Sequence, residues 1–182
     1  MANEGQILPK LVVFDLDYTV WEPEMYLSGG APFRKCEKTG KVYDASGTRM
    51  RIFEGARVAL QELAQDERFR DVKVGYASRT HYPEWAGECL ELLEVADAGT
   101  LKEVGDLEEI YPGDKQTHFA CFRKASGIAY EDMLFFDNER RNCTSVARLG
   151  VTCLCTPSGM TTAAWRQGLR DFHEAALARR SR

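Results

Sequence analysis

The sequence has few features that would indicate a secreted, membrane-spanning or nucleic-acid-binding protein. Its six cysteines are scattered, without a Cys-x-x-Cys pair or a histidine spacing typical of zinc. No apolar run approaches the roughly 20 residues of a membrane helix, and the N-terminal residues lack the pattern of a secretory signal. The formal net charge of −4 gives no electrostatic footprint for nucleic acid. We therefore expect a cytoplasmic protein with reduced thiols that binds neither membrane nor nucleic acid.

The bulk composition is that of an ordinary globular domain. The 182 residues are 44% apolar and 29% charged, and a chain of this length is long enough to bury one sizeable core. We expect a single domain over residues 1–182, present as a monomer.

A short apolar stretch that ends in two carboxylates is the most informative local feature. Leu11 to Phe14 reads as a fully buried parallel strand, and Asp15 and Asp17 follow it directly. In an open α/β sheet, ligands bind just beyond the carboxyl ends of the strands. The alternative is a strand followed by a structural turn rich in aspartate.

Strand and helix patterns alternate along the rest of the chain. Further strands are predicted at 72–77, 110–111, 132–137 and 151–155. Helices begin near residues 54, 83, 114 and 160, and another helix runs through Val146 and Leu149 and ends at Gly150. This alternation predicts an α/β fold with a Rossmann-like parallel sheet flanked by helices in three α/β/α layers.

An insertion of about residues 21–53 follows the first strand. It is rich in glycine, proline and aromatic residues, and its segments 41–43 and 49–52 can pair as a hairpin. We interpret the insertion as a short flap over the crevice, because long connections without regular structure are uncommon in compact domains unless they are functional or disordered.

Polar side chains follow three of the predicted strands, and a lysine begins one of the intervening helices. These residues are Asp15 and Asp17, then Ser78 and Arg79, then Lys115, and finally Asp137. Because carboxyl ends of parallel strands meet at one edge of a sheet, we expect these side chains to converge. Carboxylate and carbonyl oxygens suit Mg²⁺, which commonly takes one or two carboxylates and completes its shell with waters and phosphate oxygens.

Five ordered segments resemble a known family. They are 13–21 (Val-Phe-Asp-Leu-Asp-Tyr-Thr-Val-Trp), 77–80, 110–119, 135–137 and 149–152. Together they are similar to the motifs of haloacid-dehalogenase-like phosphatases, and specifically to the magnesium-dependent phosphatase-1 branch. The resemblance extends from about Leu11 to the last helix.

The resemblance implies a role for each of these residues. Asp15 would be the nucleophile, and Asp17 would be the general acid and then the general base. Ser78 and Lys115 would bind the phosphate and stabilise its charge. Mg²⁺ would be the cofactor, held by the carboxylates of Asp15 and Asp137 and the carbonyl of Asp17.

Two alternative roles are open for several further residues, and one position departs from the family pattern. Arg79 could contact substrate or support its loop. Trp21, Tyr26 and Phe33 could stack on an aromatic or sugar leaving group or only fasten the insertion to the domain. Asn138 stands where this branch usually has a second acidic residue. We expect weaker Mg²⁺ binding for that reason.

The resemblance implies a magnesium-dependent, acid-type phosphomonoesterase that forms an aspartyl-phosphate. Its substrate would be a phosphorylated small molecule or a phosphoprotein, with protein phosphotyrosine and sugar phosphates as the two candidates. A phosphotransferase that uses another acceptor than water and a non-catalytic phosphate-binding module are the alternatives.

Overall fold

The structure is a computed structural model that describes residues 5–181. This part of the chain contains nine strands and six α-helices. The strands are β1 (Leu11–Phe14), β2 (Trp21–Glu22), β3 (Arg34–Lys35), β4 (Val42–Tyr43), β5 (Arg49–Ile52), β6 (Lys73–Ser78), β7 (Leu107–Ile110), β8 (Met133–Asp137) and β9 (Thr152–Cys155). The helices are α1 (Glu54–Gln65), α2 (Pro83–Leu92), α3 (Leu101–Val104), α4 (Lys115–Ser126), α5 (Arg140–Ala147) and α6 (Thr162–Arg180).

Five strands form the central sheet in the order β7-β6-β1-β8-β9, and all neighbours are parallel. The apolar strand β1 is therefore central, with β6 and β8 on either side. The carboxyl ends of all five strands lie at one edge, as expected for a parallel sheet built from strand-helix units. The prediction of a Rossmann-like parallel sheet is confirmed.

Alternating residues of the central strands enter two separate cores. Val12 and Phe14 pack on the face covered by α1, α2 and α6, whereas Leu11 and Val13 pack on the face covered by α4 and α5. Since successive side chains of a strand point to opposite faces, a continuous apolar run is what a strand covered on both faces requires. The layers are helix, sheet and helix.

The insertion after β1 is a second, antiparallel sheet in the order β2-β5-β4-β3. The predicted hairpin is present, because β4 pairs with β5 through Val42 with Met50 and Tyr43 with Arg49. Val42 and Met50 are buried in the same core as β1. The insertion is thus packed onto the domain over most of its length.

The helix that carries the predicted lysine begins and ends as its sequence indicates. Asp114 accepts a hydrogen bond from the Gln116 N–H as N-cap, and Gly127 ends α4 in the left-handed conformation with φ of 72°. The predicted edge strand at 110–111 is longer and begins earlier, at Leu107–Ile110.

Among residues 5–181, no helix is both long and apolar enough to span a membrane.

Candidate active site

The first carboxylate stands immediately after the central strand and is held from several sides. The Asp15 N–H donates to the Phe136 carbonyl at 2.9 Å, which continues the pairing of β1 with β8 past the end of the strand. The chain then turns sharply at Tyr18, whose φ is 57°. This turn places the Thr19 side chain next to Asp15, and the Thr19 hydroxyl donates to Asp15 Oδ2 at 3.1 Å.

A buried lysine joins the two carboxylates that end β1 and β8. Lys115 Nζ lies 2.6 Å from Asp15 Oδ1 and 3.3 Å from Asp137 Oδ2, and it also donates to the Ala77 carbonyl. The lysine side chain is 1% exposed. A lysine is almost never this buried without partners, because the charge must be compensated. The first turn of α4 therefore delivers a fixed positive charge to the edge of the sheet.

The buried carboxylates do not ionise as readily as carboxylates in water. Burial raises the pKa of Asp15, an effect that Lys115 opposes. Burial and the charge of Asp15 raise the pKa of Asp137 to about 7, again against Lys115. One lysine thus only partly neutralises the two anions, and the site favours a further positive charge.

Asp17 is separate from this pair and is fixed by the insertion. Its Oδ1 accepts a hydrogen bond of 2.8 Å from the indole N–H of Trp21. Burial raises the pKa of Asp17 to about 7, with the Trp21 hydrogen bond acting in the opposite direction. Both the acid and the carboxylate are therefore populated near neutral pH.

The prediction that Trp21 stacks on a substrate group is wrong, because its ring is fully buried in the core. The indole still serves the site, since it orients Asp17. Phe33 is also buried, and its ring packs on Trp85. Tyr26 is the one of these three predicted stacking aromatics whose side chain is 65% exposed and lines the cavity.

An asparagine that the sequence did not single out links Asp137 to Arg79. Asn142 Nδ2 donates to both carboxylate oxygens of Asp137, at 3.2 and 3.0 Å. Its carbonyl accepts from Arg79 Nη1 at 3.3 Å, while Arg79 Nε donates to the Gly113 carbonyl at 2.7 Å. Arg79 therefore supports the loops around the site, one of the two roles considered for it.

These elements surround a cavity of about 320 Å³. Its lining includes Asp15, Asp17, Ser78, Arg79 and Lys115, but neither Trp21 nor Asp137. Asp137 contacts two residues of the cavity lining, Lys115 at 3.3 Å and Asn142 at 3.0 Å. The lining residues without a role assigned from the sequence are Glu24, Thr80, His81, Tyr82, Glu139, Arg141 and Asn142.

The oxygen donors at this edge fit the magnesium ion that the resemblance implies. Asp15 and Asp137 offer carboxylates, and the Asp17 carbonyl accepts no hydrogen bond from the residues that the structure describes. No group of three or more His, Cys, Asp or Glu side chains within residues 5–181 is placed to bind a metal. Mg²⁺ commonly takes only one or two carboxylates and fills the rest of its shell with other oxygen ligands, including waters and phosphate oxygens.

The raised pKa of Asp17 predicts a pH-dependent stability difference between the protein and its Asp17→Asn variant. A carboxyl whose folded pKa is above its unfolded value loses stability as pH rises between the two values, because the folded state binds more protons. With a folded pKa of about 7 and an unfolded value of 3.8, the loss falls between pH 4 and 7. The amide keeps the acceptor for Trp21 and never ionises.

We therefore expect the stability advantage of Asp17→Asn over the unchanged protein to be larger at pH 8 than at pH 5 by about 1–3 kcal/mol. The measurement is urea unfolding in the presence of a chelator at both pH values. A stability difference that is the same at pH 5 and pH 8 would contradict the raised pKa.

The chain is similar to known proteins in both sequence and fold. Residues 7–175 match the family model described as acid phosphatase. The chain is 38% identical over 168 residues to human magnesium-dependent phosphatase 1, covering 92% of this chain and 89% of the relative. It is 40% identical over 150 residues to a HAD-like hydrolase superfamily protein of Schizosaccharomyces pombe, covering 80% and 84%.

Solved structures show the same fold at low sequence identity. The N-terminal phosphatase domain of a Bacteroides fragilis protein, complexed with Mg, has a TM-score of 0.62 at 15% identity and covers 94% of this chain and 41% of that one. The cobalt-bound deoxy-D-mannose-octulosonate 8-phosphate phosphatase of Haemophilus influenzae has a TM-score of 0.54 at 16% identity, covering 92% and 88%. With the family model and the 38% identical relative, the chain belongs to the acid phosphatase family of haloacid-dehalogenase-like hydrolases, in the branch of magnesium-dependent phosphatase 1.

Proposed function

We propose that this protein is a magnesium-dependent phosphatase that hydrolyses phosphomonoesters through an aspartyl-phosphate on Asp15. The observation that carries the proposal is the position of Asp15. Its carboxylate lines the cavity between the Lys115 ammonium at 2.6 Å and the Thr19 hydroxyl at 3.1 Å. A carboxylate held in this way can attack phosphorus without first having to lose a proton to a base.

The first half of the reaction transfers the phosphoryl group to the protein. Asp15 forms a bond from its carboxylate oxygen to phosphorus while the bond from phosphorus to the leaving oxygen breaks. Asp17 gives its proton to that oxygen, so that the alcohol or phenol departs neutral. General acid catalysis of this kind contributes roughly 10²- to 10⁴-fold.

The second half releases inorganic phosphate. Asp17, now a carboxylate, takes a proton from a water that attacks phosphorus, and the bond from phosphorus to Asp15 breaks. Asp15 is restored as a carboxylate and Asp17 as an acid. A pKa of about 7 suits both halves of the cycle, because the group must give and then accept a proton near neutral pH.

Ser78 and Lys115 are the proposed phosphate-binding residues. Ser78 ends β6 at the cavity, where its Oγ accepts the Thr80 N–H at 3.2 Å and keeps its own proton for a phosphate oxygen. Lys115 adds a fixed positive charge. When bound to Asp15, Asp137 and the Asp17 carbonyl, Mg²⁺ would offset the repulsion between Asp15 and the phosphate.

The aromatic residues at the cavity mouth favour an aryl phosphate, such as protein phosphotyrosine, over a sugar phosphate as the substrate. Tyr26 on the insertion and Tyr82 before α2 both line the cavity, and both are exposed. The Tyr82 ring is stacked on Trp85 at a centroid distance of 4.2 Å, which fixes one ring at the mouth. Flat aromatic faces of this kind bind another aromatic ring by stacking.

The function is tested by phosphate release from phosphotyrosine peptides and from hexose phosphates. We expect turnover with Mg²⁺, none with a chelator, and higher kcat/KM for the aryl esters. Added alcohols should not become phosphorylated, which separates a hydrolase from a phosphotransferase. Full turnover in the chelator would refute the metal requirement, and phosphate binding without turnover would indicate a binding module.

A further inference from the structure

A second cavity opens next to the proposed catalytic one and shares a wall with it. Its volume is about 270 Å³, and it is lined by Arg79, Gly113, Asp114, Arg141, Asn142 and Ser145. Three of these residues, Arg79, Arg141 and Asn142, also line the first cavity. A molecule bound at Lys115 can therefore extend past these three residues into the second space.

The shared wall contains two guanidinium groups, and each has N–H donors that are not used in the contacts described below. Arg79 uses Nε for the Gly113 carbonyl and Nη1 for Asn142, and no residue within 5–181 accepts from its Nη2. Arg141 pairs through Nε with Glu139, and its side chain is 71% exposed. A guanidinium carries five N–H donors arranged to suit carboxylate and phosphate oxygens.

The acidic residue in the lining of the second cavity, Asp114, already accepts a hydrogen bond from the backbone. Asp114 caps α4, where its Oδ1 accepts the Gln116 N–H at 2.9 Å. The remaining lining, apart from the two arginines, consists of a glycine, an asparagine and a serine. The lining of the second cavity therefore holds two arginines against one aspartate, and Glu139, the partner of Arg141, lies outside this lining.

From this arrangement we infer that the second cavity is a subsite for an anionic group on the leaving part of the substrate. Arg79 and Arg141 would bind a carboxylate or a second phosphate while the reacting phosphate lies at Ser78 and Lys115. The inference rests on the proposed phosphatase function and narrows its substrate class to phosphomonoesters with a second anion. Arg141, which extends from the first turn of α5, would be the residue that determines this specificity.

The test compares substrates that differ only in the charge of the leaving group. We expect kcat/KM for meta-carboxyphenyl phosphate to exceed that for meta-carbamoylphenyl phosphate by about fivefold, the size of a partly exposed charged hydrogen bond. Arg141→Gln should abolish this preference and Arg141→Lys should keep part of it. Arg140→Gln is the matched control, because Arg140 is exposed and lines neither cavity, and it should leave the preference unchanged.

Binding of non-hydrolysable phosphonates separates this inference from the proposed function. By calorimetry with Mg²⁺, the carboxyphenyl phosphonate should bind about fivefold more tightly than its carbamoyl analogue, and the difference should shrink as salt rises. A phenylene bisphosphonate against phenylphosphonate gives the same comparison for a second phosphate-like anion. A preference in either pair that Arg141→Gln removes supports the subsite. Equal affinities in both pairs would overturn it, whether or not the protein turns over aryl phosphates.

Discussion

Asp15→Asn is expected to lose essentially all phosphate release, with kcat lower by on the order of 10⁴- to 10⁶-fold, as when the nucleophile of a covalent mechanism is removed. The amide keeps the shape of the carboxylate, and its single oxygen can still accept from Lys115, while its NH2 group takes the place of the oxygen that faces the Thr19 hydroxyl. It cannot form the aspartyl-phosphate. The loss should therefore appear in kcat without a loss of fold, which steady-state kinetics and circular dichroism would check.

The matched control for this variant is Asp44→Asn. Asp44 is as buried as Asp15, at 5% against 7% exposed, but it lies in the insertion, where it accepts from the Gly29, Ser46 and Thr48 N–H groups. Asp44→Asn should lower the unfolding free energy and leave kcat intact. Equal activity of Asp15→Asn and Asp44→Asn would exclude Asp15 as the nucleophile.

Lys115→Met is expected to damage both activity and stability. The loss of a charge aimed at the reacting phosphate should lower kcat/KM by about 10²- to 10³-fold. The variant also leaves Asp15 and Asp137 buried without their cation, and breaking a buried ion pair on one side costs about 3–5 kcal/mol. Since Lys115 lowers the pKa of both carboxyls, its removal raises both values, and the stability loss should grow as pH rises.

Lys102→Met provides the control. Lys102 pairs with Glu108 at 2.8 Å, but its side chain is 51% exposed, and such a surface pair is worth about 0–1 kcal/mol. Urea unfolding at pH 6 and pH 8 should separate the two variants clearly. If Lys115→Met were no less stable than Lys102→Met, the account of Lys115 as the compensating charge would be wrong.

The parts of this molecule that the sequence predicts are those that local patterns determine. The run Leu11 to Phe14 indicates a strand covered on both faces, and Asp114 and Gly127 mark the ends of α4. Because strands and helices alternate, a parallel sheet is expected, and its carboxyl edge is where Asp15 and Lys115 are expected to converge. The distance between the two side chains depends in addition on strand order, since β6 lies between β7 and β1.

The parts that the sequence does not predict depend on tertiary packing. Nothing in the pattern of the insertion tells whether Trp21 faces the cavity or the core, and in the structure its ring is buried while its N–H holds Asp17. Asn142 reaches Asp137 only because α5 begins beside β8. In the sequence it is one polar residue among several after Asp137, and no spacing rule distinguishes it.

The central claim is that a covalent phosphoryl intermediate forms on Asp15. Asp17→Asn, with its general acid and base removed, should still be phosphorylated by para-nitrophenyl phosphate, whose leaving group needs no proton, and should release phosphate slowly. The reaction is run with Mg²⁺, stopped with acid and analysed by mass spectrometry. The tryptic peptide 11–34 should then carry one added phosphoryl group, at Asp15. No adduct, or an adduct on another residue such as Ser78, would contradict the account.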